Sequence, residues 1–393
     1  MFSLLLLVII YLAFISLGLP DSLLGAAWPM MYIDFAVPVS FAGLISITVC
    51  IFTTLSSLIY AKLNSRFSTW AITTVSVALT ATALLLFSVI TAFPLLLIAA
   101  ALLGFGAGAV DAGLNNYVAL HYKARAMNFL HASWGVGTLV GPFLLSYFFA
   151  NGMSWRNGYT AIGSIQSAIF LIILLSGKLW KKAGESEITT DGKKPELKNE
   201  KVKLTEAIRK PGALAATLGF FSYCAMEQSS MLWGSTFLVS ARGFSESSAA
   251  ASAGLLFWGI TTGRIISGLV ANRINGERMI RISHISILIS VFLVLFTPPS
   301  LSPLALFLLG MGFAPMYPTM LHQTPEYFGQ KLSASVMGLE MSAAYIGSAF
   351  MPALFGIIGR NISMKLFPFY VLILLAINIA AVETKKRRAQ FKK

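Results

Sequence analysis

The chain has 393 residues, of which 56% are hydrophobic and only 11% are charged. Soluble domains carry about 25% charged residues, so this chain has too few polar side chains to cover a water-facing surface. The net charge of +14 is compatible with nucleic-acid binding, but the basic residues lie in short segments between apolar runs and form no stripe with aromatics. The composition therefore predicts a protein that spans a lipid bilayer and binds no nucleic acid.

About twenty consecutive apolar residues are needed for a helix to cross a bilayer. The sequence has twelve such runs and predicts an all-α membrane protein with twelve transmembrane helices. The first run lacks the basic start of a signal peptide and continues well beyond the length of one, so we expect it to be a span. The predicted spans are 3–32, 40–60, 69–91, 94–120, 128–150, 156–178, 212–239, 247–270, 279–298, 301–323, 333–358 and 365–383.

Lysine and arginine are distributed unequally between alternate loops. With the N-terminus inside, the inner loops and the C-terminal tail hold 24 of the 29 basic residues, and the outer loops hold 4. Arg264 falls within a span. Cytoplasmic loops of membrane proteins carry the excess of positive charge. We therefore expect a multi-pass protein of the cell inner membrane with both termini in the cytoplasm.

One long polar stretch, residues 179–210, divides the chain. Its mixture of basic and acidic residues with Gly and Pro is typical of a linker. Six spans lie on either side of it. The predicted domains are therefore an N-terminal six-helix bundle over 1–178, a cytoplasmic linker over 179–210, and a C-terminal six-helix bundle with a short basic tail over 211–393.

The two halves of the sequence match each other at a fixed offset. Leu102–Gly106 aligns with Leu308–Gly312 at a distance of 206 residues, and Ser16–Asp21 aligns with Ser222–Glu227 at the same distance. Two six-helix halves in parallel repeat, with the substrate site between them, are typical of major facilitator transporters. The repeat therefore predicts that fold.

Four acidic residues lie in the interior of predicted spans, namely Asp21, Asp111, Glu227 and Glu340. A charge at the bilayer centre costs about 2.5–3.5 kcal/mol on insertion scales, so such residues face a cavity or a partner. Burial disfavours the ionised form of a carboxyl group, which makes proton binding accessible. We expect Asp21, Asp111 and Glu340 to take part in proton coupling. The alternative for each acid is a hydrogen-bonded carboxyl group that joins two helices.

Polar and aromatic residues accompany these acids at helical spacing. Asp21 and Trp28 lie at i and i+7 on one helical face. A carboxylate beside an indole suits a sugar, because the hydroxyl groups need hydrogen bonds and the ring needs an apolar surface. The predicted substrate-binding residues are Asp21, Trp28, Asn115, His131, Trp134, Glu227 and Gln228.

Alternatives stay open for several of these residues. An intramembrane His can bridge helices instead of binding a ligand, and a Trp can simply pack. Arg264 lies deeper than the basic residues that flank the spans. We therefore predict that Arg264 pairs with an acid or a helix end and acts in gating.

The fourth span resembles the fourth helix of the fucose–proton symporter branch of the major facilitator superfamily. That helix carries an acid, three small residues, Asn-Pro, an aromatic residue and Val, and here the stretch is Asp111-Ala-Gly-Leu-Asn115-Asn116-Tyr117-Val118. Asp21 occupies the place of an essential Asp in the first helix of that branch. Asn128-Phe-Leu-His131 corresponds to Asn-Leu-Ala-Gln in the fifth. Asn116 in place of Pro and His131 in place of Gln depart from the pattern.

The resemblance implies a monomeric carrier that moves a sugar or polyol together with a proton. It further implies that the Asp of helix one binds substrate and that the acid of helix four carries the proton. The remaining transport alternative is proton-antiport efflux of drugs or metabolites, and a third hypothesis is a membrane sensor or scaffold without transport.

No Walker motif and no catalytic Ser/His/Asp or H-E-x-x-H pattern is present in the sequence. The two cysteines have no metal-ligand spacing. We therefore expect neither an enzyme nor a cofactor or metal, and we expect a small-molecule substrate and protons as the partners.

Overall fold

The structure is a computed structural model that describes residues 2–64, 66–122, 124–181, 208–270 and 273–390. Helices make up most of these residues, and no β-strand occurs within the described ranges. The predicted linker over 179–210 coincides mainly with residues 182–207, which lie outside the described part of the chain.

The described helices follow the predicted spans closely. Those before the predicted linker are α1 (Phe2–Asp21), α2 (Leu23–Asp34), α3 (Ala42–Asn64), α4 (Thr69–Val89), α5 (Phe93–His121), α6 (Ala124–Ala150) and α7 (Trp155–Leu175). Those after it are α8 (Ala213–Arg242), α9 (Glu246–Val270), α10 (Gly276–Phe296), α11 (Ser302–Phe313), α12 (Met316–Phe328), α13 (Gln330–Asn361) and α14 (Phe367–Gln390).

Two predicted spans are each divided into two helices. The first span is interrupted at Ser22, between α1 and α2 and shortly after Pro20. The tenth span is interrupted between α11 and α12, next to Pro315. Proline has no backbone N–H and disfavours helical backbone in the residue before it.

Within the described residues, eleven helical segments are long and apolar enough to cross a membrane. The remaining predicted span is α8. Its 30 residues extend about 45 Å at 1.5 Å per residue, more than a bilayer core needs. Serines together with Glu227 and Gln228 make α8 more polar than the other spans. The prediction of an all-α, twelve-span membrane protein is confirmed.

The described residues belong to two compact units. The first has the bounds Met1–Ala27 and Ile45–Lys198, and the second has the bounds Trp28–Leu44 and Asn199–Lys393. Residues 28–44 therefore lie with the second unit, whereas the sequence assigned them to the first bundle. Within the second unit this segment packs against α13, where a Cβ added to Gly43 would lie 2.7 Å from Ala353 Cα.

Each unit is organised around a close helix pair. In the first unit, α1 packs along α6, and α4 packs against α5 and α7. In the second unit, α8 packs along α13 and α14, and α11 packs against α9 and α10.

Glycine allows α1 and α6 to touch backbone to backbone. A Cβ added to Gly137 of α6 would collide with the carbonyl oxygen of Ile15. The same contact occurs in the second unit, where a Cβ at Gly347 of α13 would collide with the carbonyl oxygen of Phe221. The two glycines are 210 residues apart and their partners 206, so the contact repeats in equivalent helices.

A second contact of this kind also repeats. A Cβ at Gly104 of α5 would collide with the carbonyl oxygen of Val49, and one at Gly310 of α11 would collide with that of Leu256. The residues correspond at offsets of 206 and 207. The internal repeat read from the sequence is therefore present in the packing of the helices.

We predict that Gly347→Ala lowers the stability of the second unit. The added methyl group collides with backbone that no side-chain movement can relieve, and overpacking of this kind costs about 1–3 kcal/mol. Gly338→Ala on the same helix is the matched control, because a Cβ there has no atom within 4 Å and alanine favours the helix. Thermal unfolding of the purified protein in detergent checks both variants. Equal melting temperatures for the two variants would contradict the role of the contact.

Candidate functional site

The first unit contains an acid held by an indole. Asp21 ends α1, and its Oδ2 accepts a hydrogen bond of 2.7 Å from Nε1 of Trp134 on α6. The close packing of α1 on α6 positions this pair, because a Cβ at Gly18 would collide with the carbonyl oxygen of Trp134. The Asp21 side chain is exposed although it lies within a predicted span. Asp21 and Trp134 both belong to the predicted substrate-binding residues, and the structure brings them into direct contact.

A second acid lies near the first. Asp111 of α5 accepts a hydrogen bond of 2.9 Å at Oδ1 from the side-chain amide of Asn115, which also donates to the backbone carbonyl of Asp111 at 3.0 Å. The Asp21 and Asp111 carboxyl groups interact electrostatically. Two like charges repel each other. A single proton bound by the pair removes this repulsion.

His131 lies one helical turn before Trp134 on α6. Its ring is exposed and meets Phe14 edge to face, with 5.8 Å between the ring centroids. The structure thus brings five of the predicted residues into the first unit: Asp21, Asp111, Asn115, His131 and Trp134. Together they combine proton acceptors, hydrogen-bond donors and an aromatic surface.

Trp28 does not join this group. Its side chain is fully buried, lies within the bounds of the second unit, and donates a hydrogen bond of 2.7 Å from Nε1 to the carbonyl oxygen of Val39. The helix is interrupted at Ser22, between Asp21 and Trp28. Trp28 fixes the turn between α2 and α3.

Glu227 of α8 is the equivalent of Asp21 in the second unit and is buried. The Tyr223 hydroxyl lies close to the Glu227 carboxyl, and Arg264 of α9 interacts with it electrostatically. Gln228 is half-buried, but successive residues on a helix do not face each other. The prediction that Arg264 pairs with an acid agrees with this arrangement.

Glu340 lies apart from Glu227, on α13 within the second unit. Its carboxyl group accepts a hydrogen bond of 2.8 Å from the Thr324 hydroxyl, and the ammonium of Lys385 interacts with it electrostatically. Both Glu340 and Lys385 are almost fully buried. These contacts link α12, α13 and α14. They support the helix-joining alternative for Glu340.

Lys385 has two further contacts that fix its position. Its ammonium donates to Gln323 Oε1 at 3.2 Å and lies 4.4 Å from the ring centroid of Tyr327. The sequence counts Lys385 among the basic residues of an exposed tail, but α14 continues to Gln390 and carries Lys385 into the bundle. Its pairing with Glu340 was not predicted.

A buried polar pair was also missed. His284 Nε2 of α10 lies 2.8 Å from Asn378 Oδ1 of α14, and the Asn378 amide donates to the carbonyl oxygen of Gly219 at 2.7 Å. A His and an Asn within predicted spans are the signal that could have revealed this pair. The contacts join α10, α14 and α8.

The chain belongs to the Major Facilitator Superfamily, whose sequence pattern matches residues 10–352. Among curated proteins, Bypass of stop codon protein 6 of Saccharomyces cerevisiae is 22% identical over 310 residues. The match covers 70% of this chain and 61% of that protein, so the chain spans less than two thirds of its relative's length.

Solved structures of transporters share the fold. A D-xylose–proton symporter matches with a TM-score of 0.76 at 12% identity over 98% of this chain and 97% of that one. A nucleoside transporter matches with a TM-score of 0.75 at 12% identity over 97% and 98%. A bacterial homologue of the human lysosomal transporter Spinster matches with a TM-score of 0.75 at 14% identity over 99% and 97%.

We predict that Lys385→Met destabilises the second unit. The change removes the positive neighbour of the buried Glu340 carboxyl and the hydrogen-bond donor of the buried Gln323, and leaving a buried polar group unsatisfied costs about 1–3 kcal/mol. Lys386→Met is the matched control, because Lys386 pairs with Glu277 in a partly exposed position and such pairs contribute about 0–1 kcal/mol. Thermal unfolding in detergent measures the difference.

The double variant Lys385→Met with Glu340→Gln should recover part of this loss, because it removes the unpaired charge. A Lys385→Met protein as stable as Lys386→Met would contradict the helix-joining role of the Glu340–Lys385 pair.

Proposed function

We propose that this protein is a secondary active transporter that moves a small hydroxylated solute, a sugar or polyol, by proton-coupled alternating access. The observation that carries the proposal is the acid pair of the first unit. Asp21 and Asp111 interact electrostatically, and each accepts one side-chain hydrogen bond, from Trp134 and from Asn115. Ionisable residues inside spans of transporters are typical of proton relays.

The chemistry of the pair suits the coupling of a proton to a polar solute. A carboxylate binds one proton to become a neutral carboxylic acid and returns the same proton when it ionises. The indole N–H of Trp134 can only donate, so a proton on Asp21 is carried by Oδ1 while Oδ2 keeps its bond to the indole. His131 and Asn115 add side-chain groups that hydrogen-bond hydroxyls.

The comparisons support the substrate class. D-xylose and nucleosides, the cargoes named for two of the similar structures, both carry several hydroxyl groups, and one of those carriers is a proton symporter. The resemblance of the Asp111–Val118 stretch to the fucose–proton symporter branch points the same way. We infer that the carrier resides in the cell inner membrane with both termini in the cytoplasm, because 24 of 29 basic residues lie on that side in a twelve-span topology.

We propose two functional halves over residues 1–178 and 211–393, joined by a cytoplasmic linker over 179–210. In this scheme Asp111 carries the proton, and Asp21, Asn115, His131 and Trp134 bind the solute in the first half. Glu227 and Gln228 contribute from the second half, and Arg264 acts in gating beside Glu227.

Proton movement in proteoliposomes tests the proposal. A gradient of D-xylose, L-fucose or D-glucose is imposed inward on vesicles without a pH gradient, and the outside pH is recorded. Symport predicts alkalinisation of the medium with at least one sugar, because protons enter with the solute. Antiport predicts acidification, and a sensor or scaffold predicts no change, so either result would contradict the proposal.

We expect Asp111→Asn to abolish this proton movement, because an amide cannot bind the proton. Exchange of labelled sugar across the membrane without net flux should continue, since it needs no net proton transfer. Glu326→Gln is the control, because Glu326 is an exposed acid of α12 and is not one of the acids to which a role in transport is assigned. Wild-type proton movement in Asp111→Asn would remove Asp111 from the coupling mechanism.

A further inference from the structure

The second unit contains buried polar atoms that lack partners. The Tyr223 hydroxyl, Glu227 Oε1 and the Ser230 hydroxyl are buried and form no well-aligned hydrogen bond among the described residues, although the Tyr223 hydroxyl lies close to the Glu227 carboxyl. They stand at i, i+4 and i+7 on α8 and therefore share one face. Buried polar groups in proteins are almost always paired, and each exception calls for an explanation such as a ligand or water.

Space is available along the same face. Gly234 continues the face one turn beyond Ser230, and a Cβ added there would have only Leu306 Cδ2 near it, at 4.0 Å. A side chain at this position would reduce that space. The helix therefore has room for a methyl group at this position.

The internal repeat explains why Glu227 lacks a partner where Asp21 has one. In the first unit Asp21 lies six residues after Ile15, and Trp134 lies three residues before Gly137, which contacts Ile15. In the second unit Glu227 lies six residues after Phe221, which Gly347 contacts. The position three residues before Gly347 is Ala344, a methyl group in place of the indole.

We propose that the α8 face of Tyr223, Glu227 and Ser230 binds hydroxyl groups of the transported solute, and that a solute O–H takes the place that the Trp134 indole N–H occupies beside Asp21. The ligand is a neutral polyhydroxylated molecule. Arg264 interacts electrostatically with Glu227 and offsets its negative charge, which favours a neutral ligand. The identification of the ligand as the transported solute rests on the function proposed above.

The site makes a specific hydrogen-bond demand on its ligand. Glu227 Oε1 is an acceptor and needs a donor, whereas the Tyr223 and Ser230 hydroxyls can both donate and accept. Neighbouring hydroxyl groups of a sugar or polyol meet this demand, because each can donate to the carboxylate and accept from the next hydroxyl. A purely apolar molecule would leave all three groups unpaired.

Ligand binding to the purified protein in detergent tests the inference. Titration calorimetry with D-glucose, D-xylose, L-fucose and D-mannitol should detect binding of at least one of them. Glu227→Gln should weaken that binding about tenfold, because the neutral amide oxygen accepts a weaker hydrogen bond than a carboxylate oxygen does. Ala344→Trp should also weaken it by tenfold or more, because the new indole supplies the donor and fills the space.

Tyr345→Trp is the matched control for added bulk, because Tyr345 is the exposed neighbour of Ala344, and its binding should remain within about threefold of wild type. Thermal unfolding shows whether Ala344→Trp folds, and the isosteric Glu227→Gln tests the site without a change of volume. Absence of binding by all four compounds, or binding unchanged in both Glu227→Gln and Ala344→Trp, would overturn the inference.

The outcome is separable from that of the proton-coupling experiment. Binding in detergent needs no gradient and no functional Asp111. Binding that depends on Glu227 without sugar-driven proton movement in vesicles would refute proton coupling and retain this site. Sugar-driven proton movement, together with sugar binding that is unchanged in the Glu227 and Ala344 variants, would retain proton coupling and refute this site.

Discussion

The close approach of two helices in each unit determines where the acids of this protein lie. Gly137 contacts the backbone of Ile15, and Gly347 contacts the backbone of Phe221. Neither crossing has room for a side chain on the glycine. Packing this tight leaves little freedom for the helices to slide or rotate against each other. Asp21 and Glu227 each lie six residues beyond the crossing. A charged group inside an apolar bundle needs such a fixed surrounding, because its partners must be in reach for the charge to be tolerated.

The same backbone scaffold produces two different sites. In the first unit α6 contributes an indole to the acid, so that Asp21 is held by the protein itself. In the second unit the corresponding residue is Ala344, and the acid retains an unpaired oxygen. The two units thus differ in that one acid accepts a hydrogen bond from an indole, whereas the other has a buried oxygen without one.

Much of the fold could be predicted because its determinants are local. Twenty-residue apolar runs give the spans, and repeated glycine motifs give the relation between the halves. The sequence predicted that Asp21 and Trp134 both bind substrate, but it did not predict their hydrogen bond. That contact depends on how α1 crosses α6. Trp28 was placed beside Asp21 because the sequence was read as one continuous helix, whereas the structure interrupts that helix at Ser22 and buries Trp28 against the carbonyl oxygen of Val39. Lys385 was counted as a tail residue because sequence alone does not reveal that α14 extends to Gln390 and buries it.

We propose that the carboxyl groups of the first unit exchange a proton when the solute binds. The most direct test is to count protons taken up by the purified protein on addition of a binding sugar in weakly buffered detergent solution near neutral pH. We expect net proton uptake by the wild-type protein and a loss of that uptake when both Asp21 and Asp111 are replaced by Asn. Saturating sugar binding to the wild-type protein without any exchange of protons would contradict the account.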